Sequence, residues 1–215
     1  MLASPESNAA LVNLFHEGTK LRYDKGQFVI YPGEASPGVF YIESGLVKAY
    51  DITKYGEENL LVIRKPGEVL GLTWAISGQK RSIIYQALLP TTVWQISQAT
   101  FTSHLKDTPE AALPLIDMLT EMYRGHSQRI LNLEYRSVNE RLISFLLNTA
   151  ERFGVETKDG LLIDVPLKHQ DIASSINASR ESTGRAIIRL EKRGLLTNSQ
   201  SRFVLHDIPK LQSQL

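Results

Sequence analysis

The sequence predicts an α+β chain: an N-terminal antiparallel jelly-roll β-barrel of about eight strands, then a long dimerisation helix, then a C-terminal winged helix-turn-helix. Three observations carry this reading. Residues 23–97 are short β-branched and aromatic runs cut by turn residues. Residues 112–133 place apolar side chains at alternating steps of four and three. Residues 168–205 read as a short helix, a tight turn, a longer helix and a two-stranded wing.

The barrel runs are QFVIY before Pro32-Gly33-Glu34, VFYIE before Ser44-Gly45, LVKAY, NLLVIR before Lys65-Pro66-Gly67-Glu68, SIIYQAL before Pro90, and TVWQI. Strands this short, separated by Pro and Gly turns, close into a sandwich or barrel rather than a parallel sheet. After Ser97 the period changes. Ala112, Ile116, Leu119, Tyr123, His126, Ile130 and Leu133 form the a/d seam of a coiled coil. The stripe either packs on its own barrel or pairs with a second copy of itself, and because a barrel already has a closed core, pairing is the expected use. Pro114 is tolerated only near a helix start, which sets the beginning of the continuous helix, and Thr108-Pro109 opens a separate turn. Ser137 followed by Glu140 has capping-box spacing, so a new helix begins near residue 138. The expected organisation is therefore a barrel over 1–107, a dimerisation helix over 108–137 and a winged helix-turn-helix over 138–215. Lys158-Asp159-Gly160 is a hairpin turn signal inside the last segment.

In the motif, Ile172, Ala173 and Ile176 share one face of the short helix, and the small Ala173 lets a second helix cross closely. Asn177 tolerates the left-handed turn conformation, and Ser179 is positioned to cap the next helix. That helix gathers Thr183, Ala186, Ile187 and Leu190 on one side and turns Glu181, Arg185 and Lys192 the other way, with Arg180 on the rim. Arg donates a bidentate pair to guanine O6 and N7, and Glu accepts from cytosine N4, so Arg180, Glu181 and Arg185 form a base-reading set. The competing reading of Glu181 and Arg185 is a surface i,i+4 pair. Ile188 also faces outward, against a thymine methyl or a neighbouring surface. Charge agrees with a polyanion partner: residues 1–137 hold 13 Lys and Arg against 14 Asp and Glu, whereas residues 168–202 hold seven against three.

The run QDIASSINASRESTGRAIIRLEKRGLL resembles the helix-turn-helix signature of the Crp/Fnr family of bacterial regulators, and the turn pattern of residues 25–71 is similar to that family's cyclic-nucleotide-binding-like barrel. The resemblance covers nearly the whole chain. It implies a homodimer on double-stranded DNA, with Arg180, Glu181 and Arg185 reading a TGTGA-like half-site and His169, Ser179, Ser182 and Arg202 holding phosphates. It also implies half-sites roughly 34 Å apart, recruitment of RNA polymerase and an activator role, with repression the less common outcome. Cyclic-nucleotide-binding members carry Gly-Glu-Leu and then Arg-Ser-Ala. Here the corresponding stretches are Gly71-Leu72-Thr73 and Arg81-Ser82-Ile83. Leu72 replaces the carboxylate that accepts from the ribose hydroxyl, so cyclic AMP is not the expected effector. Arg81 is either a phosphate ligand or a salt-bridge partner. On the seam helix, His126 and Ser127 fall where the family's helix faces its pocket; His126 is a proton switch, a haem ligand or a polar register-setter.

Other classes are poorly served. With no cysteine there is no disulfide, thiolate zinc site or Cys-ligated iron–sulfur cluster. A cupin-type jelly-roll enzyme needs clustered His on its strands, but His16, His104, His126, His169 and His206 all lie outside 23–97. No phosphate-binding Gly-rich loop or supported Ser/His/Asp arrangement is present, so no catalysis and no metal are expected. No apolar run is long enough to span a bilayer, and the first dozen residues lack a basic start, which points to the cytoplasm. A regulator with no effector at all remains a further possibility.

Overall fold

The computed structural model describes residues 1–31, 36–54, 56–79 and 83–215. The turn at Pro32-Gly33-Glu34 and the pair Arg81 and Ser82 lie outside the described residues. Contacts divide the chain into two compact units, Met1–Glu57 with Leu61–Arg124, and Glu58–Leu60 with Gly125–Leu215.

The first unit opens with α1 (Pro5–His16), capped by Ser4, whose hydroxyl accepts from the Ser7 N–H, and with Pro5 at its first position. The barrel strands follow: β1 (Thr19–Tyr23), β2 (Phe28–Ile30), β3 (Val39–Ser44), β4 (Val47–Ile52), β5 (Glu58–Arg64), β6 (Val69–Leu70), and, after the short helix α2 (Leu72–Ser77), β7 (Ile84–Ala87) and β8 (Thr91–Ile96). They form two four-stranded sheets in the orders β1-β8-β3-β6 and β2-β7-β4-β5, and the resolved pairings are antiparallel. Alternating strand orders of this kind make a jelly roll. The sequence reading began the barrel at Tyr23 and so missed β1. That strand is Thr-Lys-Leu-Arg-Tyr on a sheet edge with most of its side chains in water, which is why its hydrophobic alternation is weak.

Among the described residues, two apolar clusters hold this unit together. Between the sheets lie Val29, Ile30, Phe40, Ile42, Val47, Leu70 and Val93. Outside the first sheet, Phe15 of α1 and Phe101 of α3 (Gln98–Asp107) meet with ring centroids 6.2 Å apart, in a cluster that includes Val69, Leu72 and Ile96. A 3-10 turn at Pro109–Ala112 leads into α4 (Leu113–Tyr135), with Pro114 in its first turn. In the first unit, Leu115, Met118 and Met122 point inward along α4. Leu115 and Met118 join the outer cluster, and Met122 takes a 3.0 Å contact from Arg64 Nη2. Arg64 is buried with Glu68, at 3.2 Å, so removing either partner leaves the other charge in a dry site.

The second unit contains the rest of α4 and α5 (Val138–Phe153). Asn132 of α4 is buried and donates to Ser144 of α5 at 2.8 Å. The capping box expected at Ser137 is complete. The Ser137 N–H and hydroxyl both donate to Glu140 Oε2, at 2.8 and 2.6 Å, while Ser137 Oγ accepts from the Glu140 N–H. Then come β9 (Gly154–Thr157), β10 (Gly160–Ile163), α6 (His169–Ser175), α7 (Arg180–Lys192), β11 (Leu196–Ser199), β12 (Arg202–Leu205) and α8 (Ile208–Gln212), with the strands ordered β11-β12-β10-β9. Thr157 pairs with Gly160, so the hairpin turn is Lys158-Asp159.

The Ser137 hydroxyl, and after it the Ser137 backbone N–H, hold the Glu140 carboxyl below its ordinary value of 4.5. A depressed folded-state value means the charge contributes stability above pH 4.5 and loses it as pH falls through the lower folded value. Glu140→Gln should therefore lower the urea midpoint at neutral pH, and the two proteins should converge in acid. A constant difference down to low pH would show that the charge is irrelevant.

Candidate nucleic-acid interface

Helix α6 buries Ile172 and Ala173, and Ile176 at its C-cap is buried too. The Asp171 carboxylate accepts from the Lys168 N–H at 3.2 Å, fixing the chain as it enters α6. Asn177 takes a φ of 50°, the left-handed conformation its side chain tolerates better than most, and the Ala178 N–H closes the turn onto Ala173 O at 3.0 Å. Ser179 caps α7: its Oγ accepts from the Ser182 N–H at 3.1 Å and donates to Ser182 Oγ at 3.0 Å.

Helix α7 divides as its periodicity requires. Thr183, Ala186, Ile187 and Leu190 are each at most 1% exposed. Arg180, Glu181, Arg185, Ile188, Arg189 and Lys192 are exposed. Arg185 Nη1 is ion-paired with Glu181, and its Nη2 donates to Ser182 Oγ at 3.2 Å. The structure thus brings Ser179, Glu181, Ser182 and Arg185 together around the first turns of α7, with Arg180 beside them. The i,i+4 pair exists as well, and an exposed pair of this kind is worth only a few tenths of a kcal/mol.

The wing is the β11–β12 hairpin, with Ser199 opposite Arg202 and Gln200-Ser201 as its two-residue tip. Both tip residues have positive φ, 50° and 65°, the mirror-image turn that matches hairpin twist. The Leu167 N–H donates to Ser201 O at 2.7 Å and ties the tip to the strand-to-α6 connection. Arg202 is exposed and its Nε pairs with Asp164 Oδ1 at 3.1 Å. His169, at the start of α6, has Nε2 3.0 Å from Asn198 Nδ2 on β11. Sequence reasoning singled out neither Asp164 nor Asn198. Both partnerships depend on strand register, which no local pattern encodes.

The residues assigned to an effector fare differently. Gly71 has φ 78°, and a Cβ there would come 2.8 Å from Gly38 O, so glycine is required at this point. Leu72 is 5% exposed and packed in the outer cluster with Leu11, Phe15 and Phe101. The reason is local: the left-handed Gly71 starts α2 and turns Leu72 into apolar company. Arg81 and Ser82 are outside the described residues. His126 is exposed and Ser127 half-buried on α4, in the second unit. The seam residues Ile116, Leu119, Tyr123, His126, Ile130 and Leu133 are all exposed, Tyr123 at 76%. Among the described residues no group of His, Asp and Glu is arranged as a metal site, and no helix is long and apolar enough to cross a membrane.

Comparison with known proteins agrees with this geometry. Residues 20–108 match the cyclic nucleotide-binding domain family, and residues 140–214 match the Crp-like helix-turn-helix domain family. The global nitrogen regulator of Synechocystis sp. is 27% identical over 199 residues, covering 89% of this chain and 86% of that protein. The transcriptional activator protein Anr of Pseudomonas aeruginosa is 25% identical over 173 residues, covering 80% and 70%. Among solved structures, a CooA mutant from Carboxydothermus hydrogenoformans superposes with a TM-score of 0.79 at 22% identity, covering 94% of this chain and 89% of that one. FixK2 from Bradyrhizobium japonicum gives 0.77 at 22% identity, covering 91% and 96%. The two family matches lie on the barrel and on the winged helix-turn-helix in the order expected, and the chain belongs to the Crp/Fnr family of transcription regulators.

Proposed function

We propose that the protein acts in the cytoplasm as a homodimer on a two-fold symmetric operator with TGTGA-like half-sites, as an activator that contacts RNA polymerase, and that it has no enzymatic activity. The observation that carries this reading is the polar outer face of α7, where Arg180, Glu181 and Arg185 stand in water above a fully buried apolar face. In the complex, Arg180 and Arg185 donate to guanine edges and Glu181 accepts from cytosine. The Glu181–Arg185 pair orders both heads before DNA arrives, and being solvent-exposed it exchanges cheaply for base contacts. Ser179, Ser182, His169 and Arg202 hold phosphates. Functionally, 1–107 is the sensor, 108–137 the dimerisation helix and 138–215 the DNA-binding domain.

The two faces of α4 support dimerisation. Leu115, Met118 and Met122 are already used within the first unit, whereas the Ile116-to-Leu133 stripe leaves large apolar side chains in water. An exposed stripe at heptad spacing is stabilised by a matching one. For the effector, cyclic AMP is disfavoured because Leu72 offers no acceptor for a ribose hydroxyl and is committed to the core. Either a different small molecule or none controls the protein. The Lys158-Asp159 hairpin is a candidate contact for polymerase.

Arg185→Ala should weaken binding to the specific site by about 1–3 kcal/mol while leaving non-specific binding nearly unchanged. Equal losses on both DNAs in a fluorescence-anisotropy titration would reduce Arg185 to a phosphate contact. Ile130→Glu should convert the dimer to a monomer by light scattering, and a dimer of unchanged affinity would remove the seam from the interface. Saturating cyclic AMP should leave operator affinity unaltered; a large ligand-dependent gain would reinstate the nucleotide.

A further inference from the structure

We propose that Asn198 is a positioning residue for DNA binding: it fixes the ring of His169 so that its free nitrogen donates to a DNA phosphate, and it couples the wing to both helices of the motif. The proposal rests on the DNA-reading function above and adds a residue and a role to it.

Asn198 lies in the middle of the wing strand β11, opposite Phe203, and is half-buried. It makes two contacts that leave the strand in different directions. Its backbone N–H donates to Glu191 Oε1 on α7 at 3.2 Å. Its side-chain amide nitrogen lies 3.0 Å from His169 Nε2 at the first position of α6. One residue thus joins the wing to the reading helix through its backbone and to the preceding helix through its side chain. The wing tip is fastened to the same region by the Leu167 N–H on Ser201 O.

The second contact pairs the amide nitrogen of Asn198 with one ring nitrogen of His169. An amide N–H donating to Nε2 requires that nitrogen to be the acceptor, so the proton of the neutral ring sits on Nδ1. Nδ1 is then a donor, held in one orientation, which is what a single phosphate oxygen needs. A second observation supports a task for this amide. Asn198 Oδ1 is buried and meets no donor among the described residues. A buried carbonyl without a donor opposes folding, and its retention calls for an explanation, which the nitrogen end of the same amide supplies by holding His169. Leu or Val would pack on such a strand at no such cost.

The arrangement makes His169 and Asn198 act as one unit. Without Asn198, the His169 ring is free to rotate and to move its proton to Nε2, and the donor at Nδ1 is lost. Removing either residue should therefore erase the same phosphate contact, whereas a merely structural defect in the wing would weaken many contacts together.

The test uses the full-length protein and a duplex carrying two inverted TGTGA half-sites, with single phosphates replaced by uncharged methylphosphonates. His169→Ala and Asn198→Ala should each lower affinity about tenfold, the size expected for losing a hydrogen bond to a charged group. Both variants should become insensitive to methylphosphonate at the same symmetric pair of phosphates, and the double variant should fall no further than either single one. The penalties at phosphates held by Ser179 should persist in all of them. The proposal is overturned if Asn198→Ala keeps the wild-type sensitivity at that phosphate, if it loses every phosphate equally, or if no phosphate responds to His169→Ala. A wild-type protein that does not distinguish this duplex from a scrambled one defeats the half-site reading first and this proposal with it. Thermal melts of His169→Ala, a half-exposed position, separate a lost contact from a lost fold.

Discussion

Thr183, Ala186, Ile187 and Leu190 line a single buried stripe of α7, which packs against α5, α6 and β11. Burying it sets the rotation of the helix about its own axis. Once the rotation is set, Arg180, Glu181, Arg185 and Arg189 have no choice but to face water. The stripe is fully out of solvent, so turning the helix by even one residue would expose an Ile or Leu and bury a charge, at a cost of several kcal/mol. The polar outer face of α7 is therefore a consequence of core packing, and the turn at Asn177 and the cap at Ser179 set the direction in which the helix leaves α6.

In the first unit, core packing likewise fixes how the helices lie on the barrel. The inter-sheet cluster closes the jelly roll, and the outer cluster seats α1, α3 and the start of α4 on it. Leu72 belongs to the outer core, directly after the left-handed Gly71. The buried Arg64–Glu68 pair and the Met122 contact fix the inward edge of α4, which leaves the opposite edge of the helix available.

Where a signal is carried by helical periodicity, the sequence was legible in detail. The α7 stripe follows from spacing at 3.6 residues, and the Asn177 turn and the Ser137 capping box from local residue chemistry, and the structure places all three accordingly. Legibility failed where the determinant is not local. β1 is an edge strand whose pattern is blurred by Lys20 and Arg22. α2 has only six residues, bounded by Gly71 and Gly78 with positive φ, too short for any period to show. The burial of Leu72 depends on the direction in which the left-handed Gly71 turns the chain. The links from Asp164 to Arg202 and from Asn198 to His169 join residues 38 and 29 positions apart, and they require the β10–β12 pairing that brings the wing back beside β10.

The account stands most directly on what DNA the purified protein retains. Fragments selected from a genomic library should share an inverted repeat whose half-site centres lie about one helical turn apart, and changes at the central base pairs should matter less than changes within each arm. Retained fragments with no shared sequence, or with a single asymmetric site bound by one chain, would contradict it.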